Sequence, residues 1–411
     1  MIPAVRQRYN AAFTEERYAA FLAELNSAVY WPVDFRVAET PLFLDAETAK
    51  RLAQASADIV AQLATPAFRK HAATAIPRGA LPSGPEPVEG PRSLEVPAET
   101  PFPHFLCIDF ALCDDGAGRV EPQLIELQAF PTVAFFQALL TRTYPRHFEF
   151  PPKFTSYFGG LDEAGYVAMM RRTIVGDCAP AETVLLEITP DQQKTRVDFA
   201  ATDKALGVRP VDVGAVRKRG KKLFYDRDGV ETPIKRIYNR VIFDELLRKK
   251  PAMEFSFFDE LDVQWAGHPN WYFRISKHTL PFLKGPSIPY CRFVSELGDP
   301  PADLENFVLK PLYSFAGLGV DITPTREKIA AVSNPREWLL QRKVAYAPLL
   351  ATPDGPAKAE VRLILAGDGT GWPRLMNKLV RLSKGAMHGV DFNKGRSWVG
   401  SSAGFHPTGS A

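Results

Sequence analysis

Phe307-Val-Leu-Lys-Pro-Leu-Tyr-Ser-Phe-Ala-Gly-Leu-Gly-Val-Asp-Ile322 decides how this chain is read. A short apolar run ends in Lys310. A loop of small residues follows, with Ser314, Ala316, Gly317 and Gly319, and a second apolar run closes the stretch. Strand, glycine loop and strand lay backbone N–H groups over phosphates, with the lysine reaching in from the first strand. A plain β-hairpin with a glycine turn and a solvent lysine has the same signature. The rest of the chain has to choose between them.

Working outward, Trp338-Leu-Leu-Gln-Arg-Lys-Val344 is an apolar strand leading into a polar segment. Its backbone is suited to an adenine edge, with Gln341 or Lys343 at the ring nitrogens. By itself it is an ordinary edge strand. Glu360 and Arg362 are two apart in Ala359-Glu-Val-Arg-Leu-Ile-Leu365 and so share a strand face. That makes either a structural ion pair or a phosphate clamp, for which the planar guanidinium is suited. Asp109 lies in the strand-like run Phe105–Leu112, and Glu126 and Gln128 in the returning run Gln123–Gln128. Two carboxylates and an amide oxygen on one sheet face suit Mg²⁺ shared with substrate phosphates. They equally suit the wet side of an antiparallel sheet.

Together these pieces, with Ser276-Lys-His-Thr-Leu-Pro-Phe-Leu283 and Leu379-Val-Arg-Leu-Ser383, resemble the circularly permuted branch of the ATP-grasp superfamily. That branch includes eukaryotic-type glutathione synthetase and glutathionylspermidine synthase-like proteins. In most ATP-grasp enzymes the metal hairpin follows the glycine-loop lysine; here the matching hairpin comes far earlier, as a permuted member would show. The resemblance spans about residues 105–385. It implies that Lys277 and Lys310 hold ATP phosphates and that the loop with Ser314, Gly317 and Gly319 covers them. Gln341, Lys343 and Val344 take adenine. Asp109, Glu126 and Gln128 are metal ligands, and Arg362 and Arg381 contact phosphate or acyl phosphate. The implied activity is ATP- and Mg²⁺-dependent joining of a carboxylate to an amine through an acyl phosphate, forming an amide or peptide-like bond.

Two positions depart from the family pattern. Gln128 stands where asparagine is usual, one methylene longer. Ser314 stands where glutathione synthetase-like members carry an acidic ligand, a loss that Asp109 or Glu360 would have to offset. A catalytically decayed nucleotide-binding or assembly protein is therefore the alternative to a working ligase.

The totals agree with a globular protein of two or three domains. There are 411 residues, 45% hydrophobic and 24% charged, with a formal net charge of +3. Near charge balance argues against a dedicated nucleic-acid surface. The basic run Arg217–Lys222 reads as a solvated hairpin turn before it reads as a polyanion contact. No apolar run of about 18 residues or more spans a membrane. No secretory h-region is visible, and four cysteines without metal spacing fit free thiols, so a cytoplasmic setting is expected. A homodimer is left open. Gly400-Ser-Ser-Ala-Gly404 matches GxSxG, but only Phe405–Ala411 follows, too little for the acid and histidine partners. No GxxxxGK[ST] loop is present.

The expected architecture is α/β, turning α+β at the C-terminal end. Residues 1–180 hold N-terminal helices and the metal hairpin of a permuted ATP-grasp core. Residues 181–270 are an inserted three-layer, Rossmann-like α/β substrate subdomain. Residues 271–411 bind the nucleotide, with the phosphate loop at 310–320 and the adenine hinge at 339–344. Helices are expected at 14–30 behind Thr14, at 46–64 behind Asp45, at 161–175, 191–206, 276–284 and 325–332. Strands are expected at 105–112, 123–128, 184–188, 208–213, 234–241, 306–311, 319–322, 337–344, 359–366 and 374–382. The Pro/Gly-crowded residues 77–103 read as a mobile surface insertion.

Overall fold

The first helices form where caps and apolar spacing require them. The computed structural model describes residues 2–79, 92–313, 319–385 and 393–411. Helix α1 (Pro3–Ala12) precedes α2 (Glu15–Ser27), whose Thr14 side chain accepts from the Arg17 N–H. After β1 (Leu42–Phe43), Asp45 caps α3 (Ala46–Leu63) by accepting from the Thr48 N–H. Leu52, Ala55, Ile59 and Leu63 are buried along one side of α3. Helix α4 (Pro66–Ala72) leads to β2 (Arg78–Gly79), which pairs with β3 (Arg92–Ser93). The Pro/Gly-rich segment lies partly outside the described residues, but its second half is no loose insertion. Leu94 and Val96 are buried, and the Asn270 amide satisfies both the N–H and the carbonyl of Val96 at 2.8 and 3.0 Å.

Strands β4 (Phe105–Asp114) and β5 (Val120–Gln128) make an antiparallel hairpin. Helix α5 (Ala134–His147) follows, buried on most sides. Its first N–H groups, of Phe135 and Phe136, donate to the Asp198 carboxylate at 2.8 and 2.9 Å. Then come β6 (Phe154–Thr155) and α6 (Glu163–Ile174), capped by Asp162. The next unit is parallel: β7 (Thr183–Glu187), α7 (Arg196–Leu206) and β8 (Arg209–Asp212). Strands β9 (Arg217–Arg219), β10 (Lys222–Arg227) and β11 (Val230–Ile234) form a small antiparallel sheet. Four basic residues of the run are matched: Arg217 and Arg219 pair with Glu231, Lys218 with Asp259 and Lys221 with Glu260. Strand β12 (Arg236–Asn239), helix α8 (Phe243–Lys249) and β13 (Gln264–Ala266) complete a four-stranded parallel sheet, order β13-β12-β7-β8.

Helix α9 (Pro269–Arg274) precedes a second small sheet. It contains β14 (Cys291–Phe293), β15 (Phe307–Pro311) and, after α10 (Arg326–Ala330), β16 (Trp338–Arg342), in the order β14-β16-β15. Two expectations change here. Strand β16 is central, not an edge, because β14 and β15 pair with it from both sides. Residues 319–322 are not a strand; only Asp321 bridges back, to Leu309. The second arm of the glycine loop is a single rung.

Strands β17 (Lys358–Ala366), β18 (Arg374–Ser383) and β19 (Gly400–Pro407) join the N-terminal hairpin in a seven-stranded sheet, order β1-β19-β18-β17-β4-β5, with β6 on β19. The GxSxG look-alike is simply β19. On one face Ile108, Phe110, Val361, Leu363 and Val380 pack with the buried side of α3 in one apolar cluster. Alternation sends the remaining residues to the other face.

Candidate functional site

That other face is charged. Register sets Glu126, Asp109 and Arg362 opposite one another on β5, β4 and β17, and Glu360 opposite Arg381 on β17 and β18. Asp109 is the hub. Its side chain is 2% exposed. Arg362 donates Nε to one carboxylate oxygen and Nη2 to the other, each at 2.6 Å, and Arg381 Nη2 adds a third bond at 2.8 Å. Arg381 also bonds Glu360, whose second oxygen accepts from the Tyr346 hydroxyl at 3.1 Å. Burial opposes ionisation of Asp109, but Arg362 and Arg381 outweigh it and hold the carboxyl below its usual range. Burial pushes Glu360 up, against the pull of Arg381.

Glu126 is more open, with its side chain 29% exposed, Arg362 Nη2 at 3.9 Å and Lys277 Nζ at 4.0 Å. Lys277 begins a 3₁₀ turn, not the expected α-helix, capped by Ser276. The N–H of Ala129, just past β5, donates to the Ile275 carbonyl at 2.9 Å and so brings that turn beside Glu126. Lys310, near the end of β15, is buried. Its Nζ donates to Gln341 Oε1 at 2.7 Å and to the Ile125 carbonyl at 3.2 Å. Burial lowers its pKa, while Glu126 pulls the other way.

The remaining sequence candidates fall into place unevenly. Ser314 and Gly317 lie outside the described residues. Gly319 has φ +75°, and a Cβ there would sit 3.1 Å from Pro311 Cγ, so glycine is required at the loop's exit. The Gln341 side chain points at Lys310 and β5, and its strand is paired on both sides, so it does not offer an open edge. Lys343 donates its backbone N–H to the Asn306 carbonyl and Nζ to the Glu305 carbonyl, and Val344 follows it, partly buried. Gln128 stands two pairs beyond Glu126 on β5, opposite Cys107.

What fits there follows from the donors. Arg381 Nε is buried with no acceptor among the described residues, and Lys310 is held there by neutral oxygens alone. Both are donors that an anion would satisfy. Nucleotide phosphates therefore fit. A protein-built metal cage does not: among the described residues no three His, Cys, Asp or Glu side chains converge on an ion. Both Asp109 oxygens are spent on guanidinium groups, which leaves Glu126 as the predicted ligand whose carboxylate no arginine hydrogen-bonds.

A second cluster was not legible in the sequence. It lies at the carboxyl ends of β7 and β12, where the parallel sheet's connections diverge to opposite sides, the crevice where open α/β sheets bind ligands. Arg240, 5% exposed, donates to Asp198 at 3.2 Å and to the Thr132 carbonyl at 2.8 Å. Glu187 is 4% exposed, and burial pushes its carboxyl up to about 8. Thr132 joins the two clusters, since its hydroxyl accepts from Arg362 Nη1 at 3.3 Å. The sequence signal is a charged residue closing or following each buried parallel strand. Two cavities, of about 310 Å³ beside Phe257 and Trp265 and about 330 Å³ beside Trp271 and Trp372, contain no residue of the charged face.

No family model matches this sequence, nor does any curated protein. Among solved structures it is similar to the apo form of a glutathione synthetase-like effector from Globodera pallida. The two share 9% identity over 98% of this chain and 99% of that one, with a TM-score of 0.53. At that identity the likeness is one of architecture: the chain has a mixed α/β, glutathione synthetase-like fold.

Proposed function

We propose that this chain is an ATP-dependent carboxylate–amine ligase of the circularly permuted ATP-grasp type, acting through an acyl phosphate. The observation that carries the reading is the gathering of Lys277, Lys310, Arg362 and Arg381 about one sheet face, from segments far apart in the chain, against three carboxylates. On this reading Lys277 and Lys310 hold nucleotide phosphates, and Arg362 and Arg381 stabilise charge on the transferring and acyl-bound phosphoryl group. Asp109 braces both arginines. Glu126 would hold Mg²⁺ that arrives with the phosphates, an ion that usually keeps one or two carboxylates beside phosphate oxygens. The loop with Ser314, Gly317 and Gly319 would cover the phosphates, and Lys343 and Val344 would line adenine. Bound ATP supplies the phosphoryl group that activates the carboxylate. The chain's own part is positioning and charge neutralisation, which dominate phosphoryl transfer. The carboxylate substrate belongs at Arg240 and Glu187, joined to the charged face through Thr132.

The test is ADP release on mixing the protein with ATP, Mg²⁺ and pools of carboxylates and amines, together with calorimetry of ATP binding. Lys310→Ala should weaken ATP binding at least tenfold; unchanged binding removes the phosphate assignment. Two observations favour a second reading, a non-catalytic nucleotide-binding protein: Asp109 is consumed by arginines, and the structural neighbour is described as an effector. ATP binding without ADP release from any pool would select it.

A further inference from the structure

Gln341 joins three strands through one side chain. It is 2% exposed in the middle of β16. Its Oε1 accepts from Lys310 Nζ of β15 at 2.7 Å, and its Nε2 donates to the Leu124 and Ile125 carbonyls of β5 at 3.3 and 3.4 Å. Lys310 Nζ closes the ring on the Ile125 carbonyl. Register explains the meeting. Gln341 is opposite Val308 and Lys310 opposite Leu339, so the two are diagonal neighbours on one face.

The chemistry of the acceptors matters more than their number. Lys310 is a desolvated cation, and among the described residues it has no carboxylate within ion-pair distance, only an amide oxygen and a backbone carbonyl. Neutral oxygens aim an ammonium without cancelling its charge. A glutamate at 341 would cancel it, and an apolar side chain would remove one of its two acceptors together with the amide donor to the Leu124 and Ile125 carbonyls.

We propose that Gln341 is the positioning residue of Lys310, holding the ammonium aimed and unneutralised where the small sheet meets β5, rather than a reader of adenine. That the anion is a nucleotide phosphate rests on the function proposed above; the positioning itself does not.

The experiment compares full-length wild type, Gln341→Leu and Gln341→Glu by two readouts. Acylation of Lys310 by acetic anhydride across pH, read by mass spectrometry, reports the ammonium whether or not a ligand binds. Calorimetry with ATP and with adenosine separates phosphate from base. Gln341→Leu should shift Lys310 acylation to lower pH, and Gln341→Glu to higher pH. Both should weaken ATP at least tenfold and leave adenosine unchanged. Equal weakening of ATP and adenosine with unmoved acylation overturns the proposal in favour of base contact. If wild type binds neither, the nucleotide reading fails, and acylation alone decides: opposite shifts uphold the positioning role and unmoved profiles end it. Should Gln341→Leu not fold, Gln341→Asn, one methylene shorter, carries the same comparison.

Discussion

Asp109→Asn removes one charge and keeps the side chain's shape. The structure sets what this costs. The Asp109 side chain is 2% exposed and that of Arg362 12%, so neither has bulk water to replace its partner. Three donors point at the carboxylate, at 2.6, 2.6 and 2.8 Å. An asparagine keeps one acceptor oxygen and turns an NH₂ toward guanidinium donors. Breaking a buried pair from one side costs about 3–5 kcal/mol. Arg381 is 36% exposed and retains Glu360, so the lower end, about 3 kcal/mol, is expected. The assay is urea unfolding at pH 7, read as a drop in midpoint at unchanged slope. The pH dependence adds a second arm. The folded-state pKa of Asp109 lies below its unfolded value, so its contribution is present above the unfolded value and lost as pH falls through the folded one. Asp109→Asn lacks that arm, and the two proteins should converge in stability in acid. A midpoint change worth under about 0.5 kcal/mol at pH 7 would refute the bracing role and return Asp109 to a solvated ligand.

Glu187 gives the opposite sign. Its folded pKa is raised to about 8, so the folded state binds the extra proton between the unfolded value and about 8, and stability falls as pH rises through that window. Glu187→Gln should remove the fall, a gain on the order of 4 kcal/mol at pH 9 by urea titration. Lys378 is fully buried, with Nζ donating to the Ser156 carbonyl at 3.0 Å and to His406 Nδ1 at 2.6 Å, and burial pulls its pKa well down. The unfolded chain then binds more protons, so wild-type stability should climb from neutral pH toward about 10, and Lys378→Met should flatten that climb. Gly400 has φ +118°, and a Cβ there would meet the Arg36 carbonyl oxygen at 2.4 Å. Gly400→Ala should cost at least about 2 kcal/mol in the same unfolding assay; a neutral outcome would show that the β1–β19 end yields easily.

What the sequence displays is what local physics writes into it. Thr14, Asp45 and Asp162 cap helices three residues at a time, and Leu52, Ala55, Ile59 and Leu63 repeat at helical spacing, so α2, α3 and α6 are readable. The β4–β5 hairpin and the β7–α7–β8 unit are readable for the same reason. Helix α5 is not. It is buried nearly all round, so no stripe marks it, and its N-terminus is capped by Asp198 from another helix. Strand β19 hides behind small polar residues whose partners are remote: the Ser402 hydroxyl donates to the Thr40 carbonyl. In the candidate site the residue types were visible, but their pairing was not. That Asp109 belongs to Arg362 and Arg381 is a matter of register between strands more than 250 residues apart, and that Gln341 belongs to Lys310 is a matter of register between neighbouring strands of the small sheet.

The seven-stranded sheet is built from both ends of the chain, and this has a consequence for synthesis. Asp109 leaves the ribosome 253 residues before Arg362. At about 5–20 residues per second the wait is roughly 13–50 s. Throughout it, β4 presents one unpaired edge and a carboxylate without its arginines. A nascent chain of this design carries this sheet edge early and covers it late. Its yield should therefore depend on elongation rate and on chaperones that shield strand edges, more than the finished protein's stability would suggest.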